Sequence, residues 1–423
     1  MKRVAFVLPR VDWIEGNLGL MQTLAADSDF EVTLVAPRGY SLPSGIGPVH
    51  LERYSFYLAP PAGRGVARAA GWFTHAWGRR REIDAVFART RPHCIVVIPD
   101  ISRELLPFVR IARRRGARVV LLQSGFLAPG LRRHIRGENR RLLRARWGAA
   151  FLRLLSLRVI FLFAGMPARV LKSFRVGGSC DYVFVINDFQ RHVLREAVPD
   201  ERIRVTGAPF LDHLHATIAG LPARSQGAAF RTALGRAPDT PIAAYFSRSL
   251  EQFYHVEAAS EKEAQEFFVG AFLERFPQAL LVVKLHPVEG DKAFRRFAVH
   301  PRVRIVKQMD VHELIHHSAL VISLGGSTPA LHSVFHGRPR VIIERVGEIA
   351  LDYQRQLFDV SALAASRAEY VALLDELRAA GWPAALPQRY SVIDAEKFRS
   401  FLDEFDGGAT PRVHAEVRRV VGV

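Results

Sequence analysis

Short, uninterrupted apolar segments recur along the whole chain. In the first half they are RVAFVLP (3–9), EVTLVAP (31–37), CIVVIPD (94–100), RVVLLQSG (118–125) and DYVFVIND (181–188). In the second half they are PIAAYFS (241–247), ALLVVKLHP (279–287), RVRIVKQ (302–308), ALVISLGG (319–326) and RPRVIIE (338–344). A strand that is covered on both faces is apolar throughout, without the alternation of apolar and polar residues seen in a half-exposed strand. Parallel sheets are covered in this way, so these segments predict two parallel β-sheets.

Helical patterns separate the apolar segments, as in SRELLPFVRIARRRG (102–116). Repetition of strand and helix predicts an α/β fold of two doubly wound, Rossmann-like domains that face a cleft. A stretch rich in Gly, Pro and Ala near residue 230 marks the boundary. We expect an N-terminal domain over 1–217, a linker over 218–240, a C-terminal domain over 241–390, and a terminal helix and tail over 391–423.

The chain is strongly basic, with 59 Lys and Arg against 41 Asp and Glu, a net charge of +18. This excess predicts an anionic partner, which could be nucleic acid, a lipid surface or a phosphorylated substrate, although arginines scattered over the surface are the alternative. The two cysteines, Cys94 and Cys180, lie in or beside apolar segments. We expect buried free thiols, which fit a reducing compartment and hence a cytoplasmic location.

One basic and apolar insertion, over 131–175, interrupts the alternation. Its first part, residues 132–146, contains a single acid, Glu138, and seven arginines: Arg132, Arg133, Arg136, Arg140, Arg141, Arg144 and Arg146. The longest apolar run that follows, 159–168, is shorter than the roughly 20 residues that span a bilayer. The insertion therefore predicts peripheral attachment to an anionic membrane surface. The alternative is an amphipathic pair of helices that covers the domain core.

The segment LVVKLHP ends in three residues unusual for a buried strand. Ligands of doubly wound domains bind beyond the carboxyl ends of the strands. At the carboxyl end of this strand, Lys284 adds positive charge and His286 can donate to a phosphate oxygen. Pro287 ends the strand. Alternatively, His286 only caps the strand end.

A second candidate anion site lies in ISLGGSTPALHSVFHGRP (322–339). Gly325 and Gly326 allow a tight turn, after which Ser327 and Thr328 open a helix whose N–H groups attract anions. The loop after PIAAYFS adds a third element. It brings Ser247 and Arg248 to the carboxyl end of the first strand of this domain, where they can contact a phosphate. The alternative is an ordinary polar loop.

These motifs, together with RIRVTGAPFLDHL (202–214), resemble the two-domain glycosyltransferases of the GT-B fold. The resemblance is to bacterial surface-polysaccharide enzymes, namely sialic-acid and Kdo transferases with a His-Pro motif and the glycerophosphate polymerases of teichoic-acid synthesis. UDP-N-acetylglucosamine 2-epimerases share the layout. The resemblance implies a nucleotide-activated sugar in the C-terminal domain, with no further cofactor. It also implies that the acceptor is a surface glycan or a lipid-linked chain.

Two departures from these families bear on the substrate. Many such enzymes place a ribose-binding glutamate shortly after the Ser-Thr pair, where this chain has His332 nearest, which favours a CMP- or CDP-linked donor over a UDP-linked one. The epimerases carry several acids at the exits of their N-terminal strands. Here Asp100 matches one such position, but Gln123 occupies another, which argues against epimerase chemistry.

Sugar transfer needs a base to remove the acceptor's proton. The loop PRVDWIEGNLG (9–19) offers Asp12 and Glu15, and the next candidates are Asp100 and His134. For Asp12 and Glu15 the alternative is that they are ordinary solvated acids of a surface loop.

Other classes fit the sequence less well. HELIHH (312–317) has histidines at zinc-ligand spacing, but it lies between two strands as a covering helix, so we expect no metal site. Few aromatic residues accompany the arginine cluster, which disfavours nucleic-acid binding. The alternatives that stay open are an epimerase-like isomerase, a polyol-phosphate transferase and a non-catalytic binder of anionic lipid or nucleic acid.

Overall fold

The structure is a computed structural model of the whole chain. It describes residues 1–44, 46–56, 65–98, 105–123, 178–195, 197–224, 227–251, 256–286, 289–325, 327–346, 349–350, 362–387, 390 and 406–423. The chain forms two compact units. The first comprises Met1–Leu214 and Arg399–Val423, and the second comprises His215–Phe398.

The first unit contains one sheet of seven strands. They are β1 Lys2–Val7, β2 Phe30–Pro37, β3 Val49–Tyr54, β4 Cys94–Val97, β5 Arg118–Leu122, β6 Tyr182–Val185 and β7 Ile203–Val205. Their spatial order is β3-β2-β1-β4-β5-β6-β7, and every neighbouring pair is parallel. The strand order reverses between β1 and β4, which is the topological switch point where doubly wound sheets bind ligands.

Helices cover both faces of this sheet. In chain order they are α1 Val11–Glu15, α2 Leu18–Ala26, α3 Gly65–Thr90, α4 Leu106–Arg114 and α5 Asp188–Leu194, with α6 Pro209–Arg224 leading out of the unit. A 3₁₀ turn, Asp200–Arg202, precedes β7.

The last helix of the chain, α12 Ala409–Val421, belongs to the first unit. It packs on α2, and its Val413 and Val417 are buried in the core on that face of the sheet. Gly207, after β7, has a φ of +76°, and a Cβ there would come within 2.7 Å of the Ala409 Cβ. Only glycine permits both this backbone and this close approach of the helix.

The second unit contains a sheet of six strands. They are β8 Ile242–Phe246, β9 Leu280–Lys284, β10 Val303–Val306, β11 Leu320–Leu324, β12 Arg340–Ile343 and, after the short antiparallel pair β13 Arg345–Val346 and β14 Ile349–Ala350, β15 Leu363–Ala364. The spatial order is β10-β9-β8-β11-β12-β15, again with every pair parallel. Here the switch point lies between β8 and β11.

The helices of the second unit again lie on both faces of its sheet. They are α7 Gly227–Ala233, α8 Ala258–Arg275, α9 Val311–His317, α10 Thr328–Phe335 and α11 Arg367–Ala379, with a 3₁₀ segment at Lys292–Phe297. Every residue of β8, β9 and β11 is buried, as their uninterrupted apolar character requires.

The predicted fold class, two doubly wound parallel α/β domains, is confirmed. The range predicted as a linker, 218–240, contains the end of α6 and all of α7. Most of the predicted terminal helix after residue 391 lies outside the described residues, and Gly407 and Gly408 directly precede α12. Both cysteines are free and buried. None of the helices in the described part of the chain is long and apolar enough to cross a membrane.

Candidate functional site

Three neighbouring strands of the second sheet, β9, β8 and β11, end at one edge. Their exits carry the residues that the sequence pattern singled out: His286 follows β9, Ser247 follows β8, and the turn from Gly325 to Ser327 follows β11. The sheet topology therefore brings all three predicted elements to the switch point of this unit.

The turn after β11 is held by a set of short hydrogen bonds. Gly325 has a φ of +69°, and its N–H donates to the carbonyl of Ile343 at 2.8 Å. Its own carbonyl accepts from the N–H of Ser327 at 2.9 Å and from the hydroxyl of Ser323 at 3.1 Å. The chain thus reverses from strand to helix within three residues, and the positive φ is a conformation that favours glycine.

Ser327 is the N-cap of α10. Its hydroxyl lies 2.7 Å from the Ser323 hydroxyl and accepts from the N–H of Ala330 at 3.4 Å. Pro329 occupies the first turn, where its missing N–H costs no hydrogen bond. The other N–H groups at this end form no intrahelical bonds, and the helix dipole adds positive potential, so this terminus suits a phosphate oxygen.

Lys284 ends β9 with its side chain directed into the protein. Its ammonium group donates to the carbonyls of Lys307, at 2.8 Å, and Leu285, at 3.4 Å. Burial, and then the charge of Lys307, lower the pKa of Lys284. In this conformation Lys284 fixes the exit of β9 to that of β10. A direct contact between Lys284 and a phosphate stays a prediction.

Glu289 is the residue of this site that the sequence analysis missed. Only 3% of it is exposed, and its Oε2 accepts from the hydroxyl of Ser247 at 2.5 Å and from the N–H of His286 at 3.2 Å. Burial raises the pKa of Glu289 to about 7, against the opposing effects of its bonds to Ser247 and His286. The signal in the sequence was an acid three residues after His286, in a segment that resembles an ordinary polar loop.

Ser247 faces the same interior network. Besides its bond with Glu289, its hydroxyl lies 3.2 Å from the Lys284 carbonyl, to which its N–H donates at 3.1 Å. The neighbouring Arg248 is half-buried, and its carbonyl accepts from the Gln265 side chain at 3.4 Å. The predicted phosphate contacts of Ser247 and Arg248 stay predictions.

His332 lies one turn into α10 and packs against α9. Its ring stacks on that of His312 with centroids 4.6 Å apart, and the His312 Nδ1 lies 3.3 Å from the His336 Nε2. Burial, and then its histidine neighbours, hold the pKa of His332 well below its usual range. Within the described residues, no group of three or more His, Cys, Asp or Glu side chains could hold a metal ion. The place of His332 in nucleotide recognition stays a prediction.

At the carboxyl ends of the first sheet's strands, the predicted site residues Asp12 and Glu15 are more exposed than Ser247, Lys284 and Glu289 are in the second unit. Asp12 lies in the first turn of α1, and both its oxygens accept from the Arg10 guanidinium, at 2.9 and 2.7 Å. This pair is open to solvent, with 52% and 58% of the two side chains exposed. Glu15 ends α1 and is also exposed, and its charge adds to burial in raising the pKa of Tyr40.

Gln123 follows β5, and both ends of its amide group form hydrogen bonds. Its Nε2 donates to the Gln190 side chain at 2.5 Å, and its Oε1 accepts from the N–H of Ile186 at 3.2 Å. Gln190 is held in turn by Asn187, the N-cap of α5. This buried amide network joins the exits of β5 and β6.

Several predicted residues lie outside the described residues. They are Asp100, His134, Pro287, Gly326, the side chain of Thr328 and the whole insertion 131–175.

No protein-family model matches the sequence, and no curated protein matches it either. Solved structures do share its fold over nearly the full length. They include UDP-GlcNAc 2-epimerase from Neisseria meningitidis bound to UDP-GlcNAc (10% identity, TM-score 0.61, covering 99% of this chain and 100% of that chain) and the glycotransferase of kitacinnamycin (15%, 0.60, 99% and 98%). A third is the calicheamicin glycosyltransferase (14%, 0.54, 100% and 98%). The chain therefore has the GT-B fold, two Rossmann-like α/β domains, that these epimerases and glycosyltransferases share.

Proposed function

We propose that this protein is a glycosyltransferase that moves a sugar from a nucleotide-activated donor to an acceptor hydroxyl. One observation carries the proposal: β8, β9 and β11 end at one edge of the second sheet, where its switch point lies, and they bring Ser247, His286 and the N-terminus of α10 to that edge. Two proteins of similar structure, one bound to UDP-GlcNAc and one to UDP, support the same substrate class.

The proposed reaction is a direct displacement. The acceptor oxygen bonds to the anomeric carbon of the sugar as the bond from that carbon to the donor phosphate breaks. A base, with Asp12, Glu15, Asp100 and His134 as candidates, takes the acceptor's proton. His286, Ser327 and the first N–H groups of α10 stabilise the charge on the departing nucleotide without a resident metal ion. EDTA is accordingly expected to leave the rate unchanged.

A thermal-shift screen tests the donor site. UDP, CMP, CDP and GDP and their common sugar derivatives would be compared, and the proposal expects one nucleotide to raise the melting temperature. The missing glutamate near His332 favours CMP or CDP. No shift with any of the four nucleotides would overturn the proposal.

Epimerisation is the second candidate, because epimerases are as similar in fold as glycosyltransferases. Gln123 favours transfer, since a buried amide already bonded to Gln190 and Ile186 cannot exchange a proton with a sugar ring. The two reactions differ in whether they require an acceptor, because an epimerase converts its nucleotide sugar with no acceptor present. Product formation from purified donor alone would therefore favour the epimerase.

We propose a surface glycan or lipid-linked acceptor at the inner face of an anionic membrane. This part of the proposal rests on the sequence, because the arginine-rich range 132–146 is outside the described residues. Each basic residue near such a surface contributes about 1 kcal/mol, so replacing Arg133, Arg136, Arg140 and Arg144 by Gln would remove about 4 kcal/mol of attachment.

Sedimentation with liposomes tests the membrane surface. The wild-type protein is expected to sediment with anionic liposomes at low salt, to bind neutral liposomes less, and to be partly released by high salt. The four-fold variant should remain in the supernatant. Absence of wild-type binding to anionic liposomes at low salt would assign the arginines to another role.

A further inference from the structure

Glu289 occupies an unusual place for an acid. It is nearly fully buried between the exits of β8, β9 and β10, and it contacts two residues of the candidate donor site directly. Its carbonyl also accepts from the Lys307 ammonium at 3.0 Å. Glu289 therefore ties three strand exits together at the edge where we place the donor phosphates.

No cation neutralises this carboxyl group within the described residues. The ammonium groups of Lys284 and Lys307, which end β9 and follow β10, donate to main-chain carbonyls. Glu289 Oε1 is buried and has no hydrogen-bond partner within the same residues. A buried carboxylate with two neutral donors and no counter-ion loses much of its solvation, which favours the protonated form.

Other charged and titratable groups face Glu289 from the surrounding elements. They are Glu261 on α8, Tyr245 on β8, Lys284 on β9, His286 after β9 and Lys307 after β10. Glu261, itself 6% exposed, raises the pKa of Glu289, whereas Lys307 lowers it. The Tyr245 hydroxyl donates to Gln265 at 2.6 Å and is not engaged with the acid.

The hydroxyl of Ser247 can serve either protonation state of Glu289. With Glu289 ionised, this hydroxyl donates to Oε2. With Glu289 protonated on Oε2, the acid can donate to the Ser247 oxygen while Ser247 donates to the Lys284 carbonyl, 3.2 Å away. One proton is added and one hydrogen bond reverses, so the geometry holds both forms without moving a main-chain atom.

We propose that Glu289 is a positioning residue that holds His286 and Ser247 as a neutral acid when the donor binds, taking up one proton as the anionic phosphates arrive. This inference rests on the proposed function, because it needs phosphates at His286 and α10. Their negative charge disfavours a carboxylate 3.2 Å from the His286 nitrogen, so the bound state holds the proton more tightly than the free state.

The sign of the pH dependence follows. Because the pKa of Glu289 is about 7 in the free protein and higher in the complex, donor binding is strongest below pH 7. It weakens by up to about tenfold per pH unit as the pH rises from 7 towards the pKa of the complex.

Calorimetry in buffers of different ionisation enthalpy measures the proton directly. The probes are UDP-N-acetylglucosamine and CMP-sialic acid, whichever gives the larger thermal shift, because phosphates esterified on both sides do not titrate between pH 6.5 and 9. At pH 7.5 the wild type is expected to take up about half a proton or more per donor bound. Glu289→Gln, which is neutral and of nearly the same shape, should take up almost none and retain binding at pH 6.5.

Two further variants sharpen the result. Glu261→Gln removes a neighbouring buried acid and is expected to retain the proton uptake. Ser247→Ala removes a bond that lowers the pKa of Glu289, so the fall in affinity should begin at a higher pH than in the wild type. The Ser247 variant tests the coupling even if Glu289→Gln does not fold.

Proton uptake that persists in Glu289→Gln would overturn the inference and assign the proton to another group, such as His286. Absence of uptake in the wild type, or an unmoved pH profile in Ser247→Ala, would overturn it too. These results leave the proposed function standing. Failure of both nucleotide sugars to bind at millimolar concentration would instead remove the donor site itself.

Discussion

The carboxyl edges of the two sheets differ in how their charged groups are held. At the edge of the second sheet, Glu289 and Lys284 are buried and each is bonded to the exit of a neighbouring strand. At the edge of the first sheet, Asp12 and Glu15 are exposed, and Asp12 pairs with Arg10 from its own loop. One edge is fixed by contacts between strands and the other by contacts within one loop.

This difference has a physical meaning for the proposed transfer between two substrates. A site whose dipoles are fixed in advance needs no reorganisation when charge develops on it, which suits the departing phosphate. Exposed acids on a short helix keep their solvation and can adjust to a bulky acceptor. We therefore expect changes in the second unit to alter donor affinity, and changes near β1 to alter turnover.

The largest effect is expected for Glu15→Gln. Both oxygens of Asp12 are engaged by Arg10, whereas Glu15 forms no hydrogen bond through its side chain within the described residues, so we expect Glu15 to be the base. Loss of a general base lowers kcat by about 100-fold or more. The measurement is nucleotide release from the donor with membrane extract as acceptor, alongside the donor Kd, which should not change.

Asp12→Asn is the matched variant for this prediction, since it makes the same change of charge one helical turn earlier. A large loss of kcat in Asp12→Asn, with Glu15→Gln near wild type, would exchange the two roles.

The next effect is expected for His286→Ala. Loss of one charge-assisted hydrogen bond to a phosphate removes about 1.5–3 kcal/mol, or about tenfold or more in donor affinity. Isothermal calorimetry measures this change, and circular dichroism checks that the fold is intact. His300→Ala is the control, because His300 is another half-buried histidine of the same unit, and its ring accepts from the N–H of Arg302, away from the strand exits of the site. Unchanged affinity in His286→Ala would remove His286 from the site.

A smaller effect is expected for Gly325→Ala. Its φ of +69° strains any other residue, so we expect a loss of about 1 kcal/mol in the free energy of unfolding together with severalfold weaker donor binding. Gly337→Ala, at the opposite end of α10 with a φ of +62°, should lose similar stability and keep the donor affinity. Equal effects of the two variants on binding would mean that the turn after β11 is structural only.

The smallest effect is expected for Arg10→Gln. An exposed ion pair contributes little because water screens it, so the free energy of unfolding should change by no more than about 0.5 kcal/mol. Chemical denaturation measures it. A larger loss would show that the loop after β1 is as tightly held as the exits of the second sheet, and the contrast between the two edges would disappear.

The sequence predicted the sheets and their edges well, because uninterrupted apolar strands and glycine-rich exits are local signals. It placed His286, Ser247 and the turn at Gly325 on one edge from strand order alone. It could not place the side chain of Lys284, since a strand buried on both faces has no alternation to show which way a residue points. Of the two carbonyls that Lys284 binds, that of Leu285 is its neighbour in the chain, whereas that of Lys307 lies 23 residues further on and reaches Lys284 only in the folded protein.

Glu289 was missed for a related reason. Read along the chain it is an acid in a polar loop, and its burial arises only where the exits of β8, β9 and β10 converge. The predicted terminal helix and tail over 391–423 did not place α12 at Ala409–Val421, because a glycine pair such as Gly407 and Gly408 signals the end of a helix as strongly as the entry to one. The docking of α12 depends on Gly207, which is about 200 residues away in the sequence.

The return of α12 to the first unit determines when that unit can finish folding. During synthesis the ribosome makes the strands of the first sheet early, then the whole second unit, and only afterwards the helix that brings Val413, Val417 and Val421 to the apolar face of α2. Until then this face stays open to chaperones and proteases. A nonsense mutation anywhere ahead of Ala409 would therefore disable the earliest-made part of the protein.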